Sequence, residues 1–590
     1  MNFLQNLKPK AKLSKNVFDL SRKHVFSGKA GLLLPALCVE TVPGDRFKID
    51  ITAIQRTMPM HTAAFLRGSF HYDFFFVPYA QLWHNFNQFI AQRADRKSVM
   101  YQSINYCPTF NVKDFISEVM QGSTYDTLVD VHELNTLANT QRLAELLGYF
   151  GRWDELSDSQ TMAQDIAAIG NKYCNVFRIA AYQKIWYDYY RNKYYDIDKT
   201  SPHGQSSGGI TPTDPSVGTY YQQYLKLWNF DDYECSSFAN SHVELGRIMP
   251  MFTPRYVQWK KDLFTSALPN TQFGAVSSVS LDVNLDNYFS YSSTPDNYSL
   301  DLYTEGTGIK DGVSAPSKNS IGYTDADSPL SLVVPNFTSF DILKLRQAQA
   351  LQKWKESTLR AGFGVHDNFR AHFGVAPKSE GNHDVAYLGS FQSALNVNSV
   401  EATASTGQTL NGQLGSLGAN GVSLTNGRPI ECSINDFGII MCMAYFRPEA
   451  EYDAWATDKA NTLYEQFDFF TPEFENLGLE AVSRYERFGL YDSDRDLEPL
   501  GYAPRYYMYK TAVDKVFGLF KQGGSLSPWV APRESNYVTR LGDYYVSPSV
   551  LDNVFGINAD PNQSTDYLLF NAFFDVKAIR PISVLGLPML

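Results

Sequence analysis

Residues 32–90 have the sequence LLLPALCVETVPGDRFKIDITAIQRTMPMHTAAFLRGSFHYDFFFVPYAQLWHNFNQFI, in which the hydrophobic period and the turn signals are clear. After the Pro-Gly turn signal of VPGD, Phe47, Ile49 and Ile51 alternate with polar residues. This period of two is typical of a β-strand with one buried face. Alternation returns between Leu66 and Phe76, so a second strand is predicted there.

The second strand has a distinct end. Phe75 and Val77 break the alternation, which predicts that the end is buried on both faces, and Pro78 ends the hydrogen-bonded ladder. Apolar residues then recur at helical spacing from Leu82 to Ile90. We therefore interpret this stretch as the first two strands of a β-barrel, followed by a helix.

Length and composition set limits on the rest of the chain. At 590 residues the chain is longer than one ordinary domain, so it has either several domains or one core with large insertions. Aromatic residues make up 14% of the chain and charged residues only 19%. A monomer has difficulty burying so many rings, which favours large obligate interfaces.

Charge is unevenly distributed. Residues 1–30 contain seven basic residues and one acidic residue, a net charge of +6, whereas the whole chain carries −11 and the remainder therefore −17. These first residues are polar and have no sustained apolar period, so we predict a basic amino-terminal arm over residues 1–30. Residues 31–590 are predicted to form one domain with insertions.

The cysteines and the apolar runs argue against two classes of protein. The six cysteines lie far apart without a CxxC pair, which predicts free thiols in a reducing compartment rather than a disulfide framework or a zinc site. The longest apolar runs are too short to span a bilayer, and no signal-peptide cleavage site follows the first of them.

Further elements are predicted along the chain. An aromatic-rich helix over residues 175–195 has Asn175 as its N-cap, and its apolar positions are expected to pack in the core. Residues 201–218 are predicted to be a surface loop. A capping box at residues 338–341 begins a helix with the apolar stripe Ile342, Leu345, Ala348, Leu351 and Trp354. Residues 437–446 predict a buried strand, and alternation from Phe570 to Val576 predicts a strand near the end.

Residues 274–336 differ from the regions on either side. They are rich in Ser, Thr, Asn, Gly and Asp, and two lysines against eight acidic residues give them a net charge of −6. A polar segment of this kind between two well-patterned regions predicts an inserted surface protrusion.

Candidate chemical motifs are weak. Residues 492–498, DSDRDLE, resemble a calcium loop but lack its Gly and its bidentate Glu, so a solvated turn is favoured. His366 and His372 are six residues apart, which does not place two imidazoles on one helix face. GTGIKDG lacks the spacing of a dinucleotide fingerprint, GQLGSLGANG lacks the Lys-Ser or Lys-Thr of a P-loop, and no G-x-S-x-G elbow occurs. We predict a non-enzyme with no catalytic residue, cofactor or metal.

A series of motifs carries a family resemblance. LLLPALCVETVPGDRFKID and FFFVPYAQLWHNF are followed in order by AAYQKIWYDYYRN, DLFTSALPNTQFG, RAGFGVHDNFRAHFGV, YLGSFQSAL, GQLGSLGANG, FGIIMCMAYFRPEAEY and LGYAPRYYMYK. Together they resemble the major capsid protein of microviruses, the tailless icosahedral single-stranded DNA phages, in the gokushovirus-like branch. The order of many motifs is more specific than any single one.

This resemblance implies a fold and a function. The fold would be mainly β, an eight-stranded antiparallel jelly-roll barrel of the viral capsid type with long helix- and loop-containing insertions. Sixty copies, built from pentameric precursors, would close a T=1 icosahedral shell around a circular single-stranded DNA genome. The protein would be assembled in the host bacterial cytoplasm, without membrane insertion, and would reside in the virion.

The resemblance also implies partners. They are a small basic internal DNA-binding protein, a DNA pilot protein, a scaffolding protein and a host surface receptor, which the insertion at residues 274–336 would contact. For the genome, the basic arm supplies candidate contacts at Lys8, Lys10, Lys12, Lys15, Arg22 and Lys23, and Phe18 and Phe26 are candidates for stacking on bases. A solvated tail, with the small basic protein neutralising the DNA, is the alternative.

A second class of function stays open from the sequence. Tyrosine-rich loops on a β-sandwich also suit a carbohydrate-binding or carbohydrate-active jelly-roll protein. Closed shells in the electron microscope would distinguish a capsid protein from a monomer that binds glycans.

Overall fold

The structure is a computed structural model that describes residues 15–91, 106–120, 137–149, 172–194, 228–231, 233, 235, 237–272, 288–294, 297–303, 342–361, 365–374, 384–401, 417–489, 499–533, 544–555 and 566–584. The predictions for residues 1–14, 201–218, 338–341 and 492–498, and for most of residues 274–336, lie outside these ranges.

Strands dominate the described part of the chain. They are β1 Asn16–Asp19, β2 Arg22–Gly28, β3 Leu32–Thr41, β4 Asp45–Thr57, β5 Gly68–Pro78, β6 Thr109–Asn111, β7 Tyr173–Asn175, β8 Arg255–Tyr256, β9 Tyr288–Thr294, β10 Asn297–Tyr303, β11 Ala386–Ala394, β12 Asn396–Glu401, β13 Leu417–Thr425, β14 Ile430–Ile434, β15 Gly438–Pro448, β16 Glu451–Asp453, β17 Leu479–Val482, β18 Gly501–Pro504, β19 Asp514–Val516 and β20 Leu568–Arg580.

Helices are short, with one exception. They are α1 Tyr79–Leu82, α2 Phe86–Ala91, α3 Val112–Met120, α4 Leu137–Leu146, α5 Phe177–Ile185, α6 Leu245–Met251, α7 Ile342–Ala361, α8 Val365–Phe373, α9 Arg484–Phe488 and α10 Asp552–Phe555, with a π-helical turn at Trp186–Tyr190. Single 3₁₀ turns lie at Ala239–Ser241, Lys459–Thr462, Gln466–Asp468, Pro472–Phe474, Tyr507–Tyr509, Gly518–Phe520, Ser527–Trp529 and Pro548–Leu551. No helix of the described ranges is long and apolar enough to cross a membrane.

Two large antiparallel sheets form the body of the fold. The seven-stranded sheet has β20 and β4 at its centre, with β1 and β2 along the free edge of β20, β13 and β14 along the free edge of β4, and β12 beyond β13. The five-stranded sheet has the order β11-β5-β15-β3-β8. The structure is therefore mainly β, as predicted.

The two sheets pack face to face across one hydrophobic core. Phe70 of β5 lies 5.5 Å from Phe570 of β20, and the ring of Phe574 contacts those of Tyr72 and Phe74. Gln55 of β4 adds a polar link, because its Nε2 donates to the hydroxyl of Tyr72 over 2.8 Å. These contacts bury the same alternating residues that predicted the strands.

Most predicted element types in these ranges are confirmed. In β4 the inward side chains are buried and the outward ones are largely exposed, and the turn before it has Gly44 at φ +92°. The end of β5 is buried on both faces, as are most residues of β15. The aromatic-rich helix begins at Phe177, and Ile179, Tyr182 and Trp186 lie in the core. Its N-cap is Val176 and not the predicted Asn175, which ends β7 and whose Oδ1 accepts from the backbone amide of Phe177.

The described residues do not form the predicted eight-stranded barrel. The two sheets have seven and five strands and remain separate along their edges. The length of two strands explains the number of strands in the larger sheet. β4 and β20 each have 13 residues, so two shorter strands pair end to end along the outer edge of each of them.

The basic arm also differs from its prediction where the structure describes it. β1 and β2 lie within residues 1–30, yet both pair with β20 and extend the seven-stranded sheet. The weak apolar pattern has a physical reason: Val17 and Val25 face outward, and Phe26 is the ring of this segment that packs inward, stacked 4.8 Å from Phe570.

The chain divides into two compact units. One consists of Met1–Thr271 and Val375–Leu590 and contains both large sheets, whereas the other is the continuous segment Gln272–Gly374. The second unit contains the β9–β10 hairpin and helices α7 and α8. All six cysteines are unpaired, and Cys38, Cys235 and Cys442 are buried.

Candidate nucleic-acid interface and exposed apolar surfaces

Along one flank of the sandwich, hydrogen bonds from side chains join the two sheets, whose described strands are not paired with each other there. Three alternate carbonyl oxygens of β3, those of Ala36, Cys38 and Glu40, accept from side chains of the seven-stranded sheet. His24 Nδ1 lies 2.6 Å from the carbonyl of Ala36, the guanidinium of Arg22 donates to that of Cys38, and Arg580 Nη2 donates to that of Glu40 over 2.6 Å. We call this set of three contacts the flank clamp.

In the described part of the chain, β8 pairs only with Leu32 and Leu33 of β3, so the flank clamp satisfies backbone acceptors farther along β3 that have no strand partner on this side. Since a carbonyl only accepts, His24 carries a proton on Nδ1. Burial lowers the pKa of Arg22, which is the expected result of placing a guanidinium against the sheet. The sequence does not reveal this clamp, because its donors and acceptors meet only when the two sheets pack.

The structure distributes the predicted genome-contacting residues among different roles. Lys8, Lys10 and Lys12 lie outside the described residues. Lys15 is exposed, and its Nζ donates to the carbonyl of Gly44 over 3.0 Å. Arg22 belongs to the flank clamp, and Lys23 is exposed on the opposite side of β2. Of the predicted residues, the structure thus describes three, and Lys15, Arg22 and Lys23 have different surroundings.

The outer face of the seven-stranded sheet carries exposed apolar side chains. We call this surface the large-sheet face. One row across it joins Val25, Asn571, Ile54 and Leu424 from four strands, and the next places Lys23 opposite Phe573. Phe573 is 46% exposed.

Charges on the large-sheet face are mixed. Asp50 stands opposite Asp575, and Lys48 stands opposite Lys577, whose Nζ lies 2.7 Å from Asp19 Oδ2. That hydrogen bond from Lys577 lowers the pKa of Asp19. The face thus has neither the uniform basic charge nor the row of free aromatic rings that typifies a single-strand-binding platform.

The structure places Phe26, which was predicted to stack on bases, against the hydrophobic core. Its ring is parallel to that of Phe570 at 4.8 Å, so this side of the ring is already occupied by protein. An exposed ring of the same sheet region is Phe573, for which the sequence pattern makes no prediction.

A buried polar group lies at the centre of the five-stranded sheet. Tyr190 and Tyr445 donate to Asp73 Oδ2 over 2.6 and 2.9 Å, and burial raises the pKa of this carboxyl group. His71 stacks on Tyr445, and burial with the nearby Arg447 lowers its pKa to about 4. These groups satisfy one another within the sheet, an arrangement that ties strands together.

The metal-site candidates remain weak. His372 lies on α8, where its ring stacks on Trp354 at 5.9 Å and its Nε2 is 3.0 Å from Thr358 Oγ1. It is therefore a histidine packed against α7. Within the ranges that the structure describes, no group of three or more His, Cys, Asp or Glu side chains is placed to hold a metal ion.

Two exposed apolar surfaces lie outside the large sheets. Helix α7 is confirmed, but Leu345, Leu351 and Trp354 of its predicted apolar stripe are all more than two-fifths exposed. Residues 464–477, YEQFDFFTPEFENL, form the second surface, which the sequence analysis missed because this segment has neither a helical nor a strand period.

The chain is similar to phage capsid proteins along most of its length. A family model described as Capsid protein (F protein) matches residues 8–130 and 147–590. The chain is 23% identical over 617 aligned residues to capsid protein VP1 of Chlamydia phage 1, covering 98% of this chain and 96% of the relative. It is 27% identical over 353 residues to capsid protein VP1 of Bdellovibrio phage phiMH2K, covering 55% and 63%.

A third relative has the same description. Capsid protein VP1 of Spiroplasma virus 4 is 22% identical over 418 residues, which cover 64% of this chain and 75% of the relative. The matched residues include every strand of both large sheets and the continuous segment Gln272–Gly374.

Proposed function

Because this chain belongs to the phage capsid protein (F protein) family, we propose that its copies assemble into a T=1 icosahedral shell of sixty subunits around a circular single-stranded DNA genome. It is a major capsid protein of the microvirus type, and its place is the virion. The family match across residues 8–130 and 147–590 is the observation that carries this conclusion.

The proposed fold is a capsid jelly roll with extended sheets. Two antiparallel sheets packed face to face are the architecture of jelly rolls. The flank clamp supports this proposal, because it joins the sheets along a flank where a barrel would have ladder hydrogen bonds. The long strands β4 and β20 then account for the additional strands.

Exposed apolar side chains support the assembly step. The large-sheet face, helix α7 and residues 464–477 all expose large apolar side chains in the single chain. Obligate interfaces are more apolar than ordinary surfaces and typically bury on the order of 2,000 Å² or more. Pentameric precursors are the proposed intermediate between the free subunit and the shell.

For the genome, we assign the contacts to the amino-terminal segment. Lys8, Lys10, Lys12, Lys15 and Lys23 are proposed to face the interior, where positive charge offsets the phosphate charge. Arg22 takes a structural role in the flank clamp instead. A small basic internal protein of the same phage shares the neutralisation, and a DNA pilot protein and a scaffolding protein complete the proposed partners.

The insertion at residues 274–336 is proposed to protrude from the shell and contact a host surface receptor. Two features support this: the net charge of −6 is unsuited to a core, and the second compact unit, Gln272–Gly374, contains the whole insertion. Because this unit is continuous while the other is made of two segments, it is inserted into the larger one along the chain.

A shell protein needs no catalytic centre, and we propose none. The carbohydrate-binding alternative was based on tyrosine-rich loops on a sandwich, an architecture that capsid proteins share, and the match of the capsid family to nearly the whole chain favours the capsid function instead.

Electron microscopy of the purified protein tests the proposed function. Expression with the phage scaffolding protein should give closed, uniform shells in negative stain. A protein that stays monomeric at micromolar concentration under these conditions, in size-exclusion chromatography and in micrographs alike, contradicts the proposal.

A further inference from the structure

Residues 464–477 form an exposed aromatic and acidic surface, which we call the aromatic-acidic segment. Tyr464 is 82% exposed, Phe467 58% and Leu477 65%, and Phe469 and Phe470 are about half exposed. The segment contains four acidic residues and no basic one. So many exposed rings in so short a stretch are typical of a protein interface.

The aromatic-acidic segment is held in shape by its own contacts. The carboxylate of Asp468 accepts from the backbone amides of Tyr464 and Glu465 over 3.0 and 2.9 Å. Phe467 packs edge-on against Phe474 at 5.4 Å, and Phe470 packs against Tyr506 at 5.2 Å. A preorganised surface loses little conformational entropy when it binds.

Two carboxylates of this segment are available to a partner. Glu475 forms an ion pair with Lys510 at 3.4 Å, but among the described residues Glu465 and Glu473 have no basic partner. Both are exposed. The partner surface should therefore combine apolar side chains with positive charge.

Helix α7 has that combination. It contains five basic residues against Glu356 alone, and Leu351 and Trp354 are 47% and 48% exposed. Arg346 and Lys353 are exposed, and no carboxylate of the described residues pairs with either of them. Their spacing of seven residues places Arg346 and Lys353 on one side of the helix, and Trp354 lies about a quarter of a turn around the helix from them.

We propose that the aromatic-acidic segment of one subunit binds helix α7 of a neighbouring subunit in the shell. Phe467 and its neighbouring rings pack on Leu351 and Trp354, while Glu465 and Glu473 face Arg346 and Lys353. The aromatic-acidic segment has a net charge of −4 and helix α7 a net charge of +4, and this complementarity favours helix α7 as the partner of the segment. The inference rests on the proposed capsid function and names the surfaces that carry one of its subunit contacts.

The test uses full-length chains with reversed charges. The segment variant is E465K/E473K, the helix variant is R346E/K353E, and the combined variant carries all four substitutions. Each double variant should form at least about tenfold fewer shells than the wild type, because like charges then face each other across the contact. The combined variant should recover shell formation to within about threefold of the wild type.

A matched control separates this contact from net charge. K260E/K261E changes the net charge by the same amount as the helix variant at two other exposed lysines, and it should assemble normally. Thermal melting of each unassembled subunit checks folding, and melting temperatures close to the wild-type value are expected because the reversed side chains are exposed.

Cysteine cross-linking checks that the contact joins two chains. E465C paired with K353C should give a covalent dimer in assembled shells treated with a short bis-maleimide, whereas either single variant should not. A cross-link within one chain overturns the proposal.

The outcomes distinguish the inference from the function on which it rests. If the wild type forms shells and the double variants assemble equally well, or if the combined variant does not recover, the contact is wrong and the capsid function stands. If the helix variant assembles normally but encloses less DNA, the helix binds the genome instead. If the wild type itself forms no shells, the proposed function fails.

Discussion

His24 on β2 lies 2.6 Å through Nδ1 from the carbonyl oxygen of Ala36 on β3, in the facing sheet. Together with Arg22 and Arg580 it supplies side-chain donors to three alternate carbonyls of one strand edge. The residues predicted to be a basic arm thus help to join the two sheets.

Removal of one donor from the flank clamp should weaken the sandwich. We expect R22A to lower the free energy of unfolding by about 1–3 kcal/mol, because the hydrogen bond has a charged donor and its loss leaves a partly buried acceptor unpaired. Urea unfolding of the unassembled subunit measures this. The control K23A, on the other side of the same strand, should change stability by less than about 0.5 kcal/mol. Equal effects of the two substitutions would contradict a role of the clamp.

Neighbouring phenylalanines on β20 should respond very differently to truncation. Phe574 is buried against Tyr72 and Phe74, so F574A should cost about 3–5 kcal/mol of unfolding free energy. Phe573 is exposed, and F573A should leave the stability of the free subunit within about 0.5 kcal/mol of the wild type. Chemical denaturation of both variants tests the register of β20, since a one-residue shift would exchange the two results.

The contribution of His71 to stability should decrease as the pH falls from about 6.5 toward 4. Burial lowers the pKa of His71 to about 4 in the folded chain from an ordinary value of 6.5, so in this window the unfolded chain binds the proton and the folded chain does not. The contribution of His71 is fully present above pH 6.5 and is lost as the pH falls. H71Q should flatten this part of the stability–pH curve, and a curve unchanged from the wild type would show that His71 is not the group responsible.

Four lysines should carry much of the genome contact of the amino-terminal segment. Replacement of Lys8, Lys10, Lys12 and Lys15 by Gln should reduce the slope of log affinity against log salt by about 0.7 for each lost phosphate contact on single-stranded DNA. Filter binding at several salt concentrations measures the slope, and the DNA content of purified particles gives a second readout. Unchanged slopes with normally filled particles would assign the neutralisation to a separate protein.

The insertion should be dispensable for the shell but required for infection. Replacement of residues 274–336 by a short Gly-Ser linker should leave assembly intact, because lengthening a closed loop costs only about 0.6 kcal/mol per doubling of its length. Adsorption to host cells should be lost. Particle yield and an adsorption assay distinguish the cases, and failure of the subunit to fold would mean that the segment belongs to the core.

Sequence patterns predicted the strands whose faces have opposite environments. The alternation in β4 and β20 is clear because one face of each strand packs on the other sheet and the opposite face does not. β1 and β2 lack this signal, since Val17 and Val25 face outward and polar side chains such as His24 reach the facing sheet.

The candidate surfaces were harder to predict, for two reasons. Periodicity in α7 shows that one side of the helix is apolar, but not whether the same chain covers Leu351 and Trp354. The aromatic-acidic segment has no period, because its rings are arranged by turns and by side-chain hydrogen bonds from Asp468. Both surfaces therefore depend on tertiary structure rather than on local pattern.

The position of β20 has a consequence for biosynthesis. β20 pairs with β4 along its length and is also the only described partner of β1 and β2, yet more than five hundred residues separate it from β4 in the chain. At ribosomal rates of ~5–20 residues per second, one edge of β4 waits about 25–100 s for its partner. During that time the backbone amides and carbonyls along this edge of β4 have no strand partner, and binding of a chaperone to the nascent chain would protect the edge from pairing with another chain.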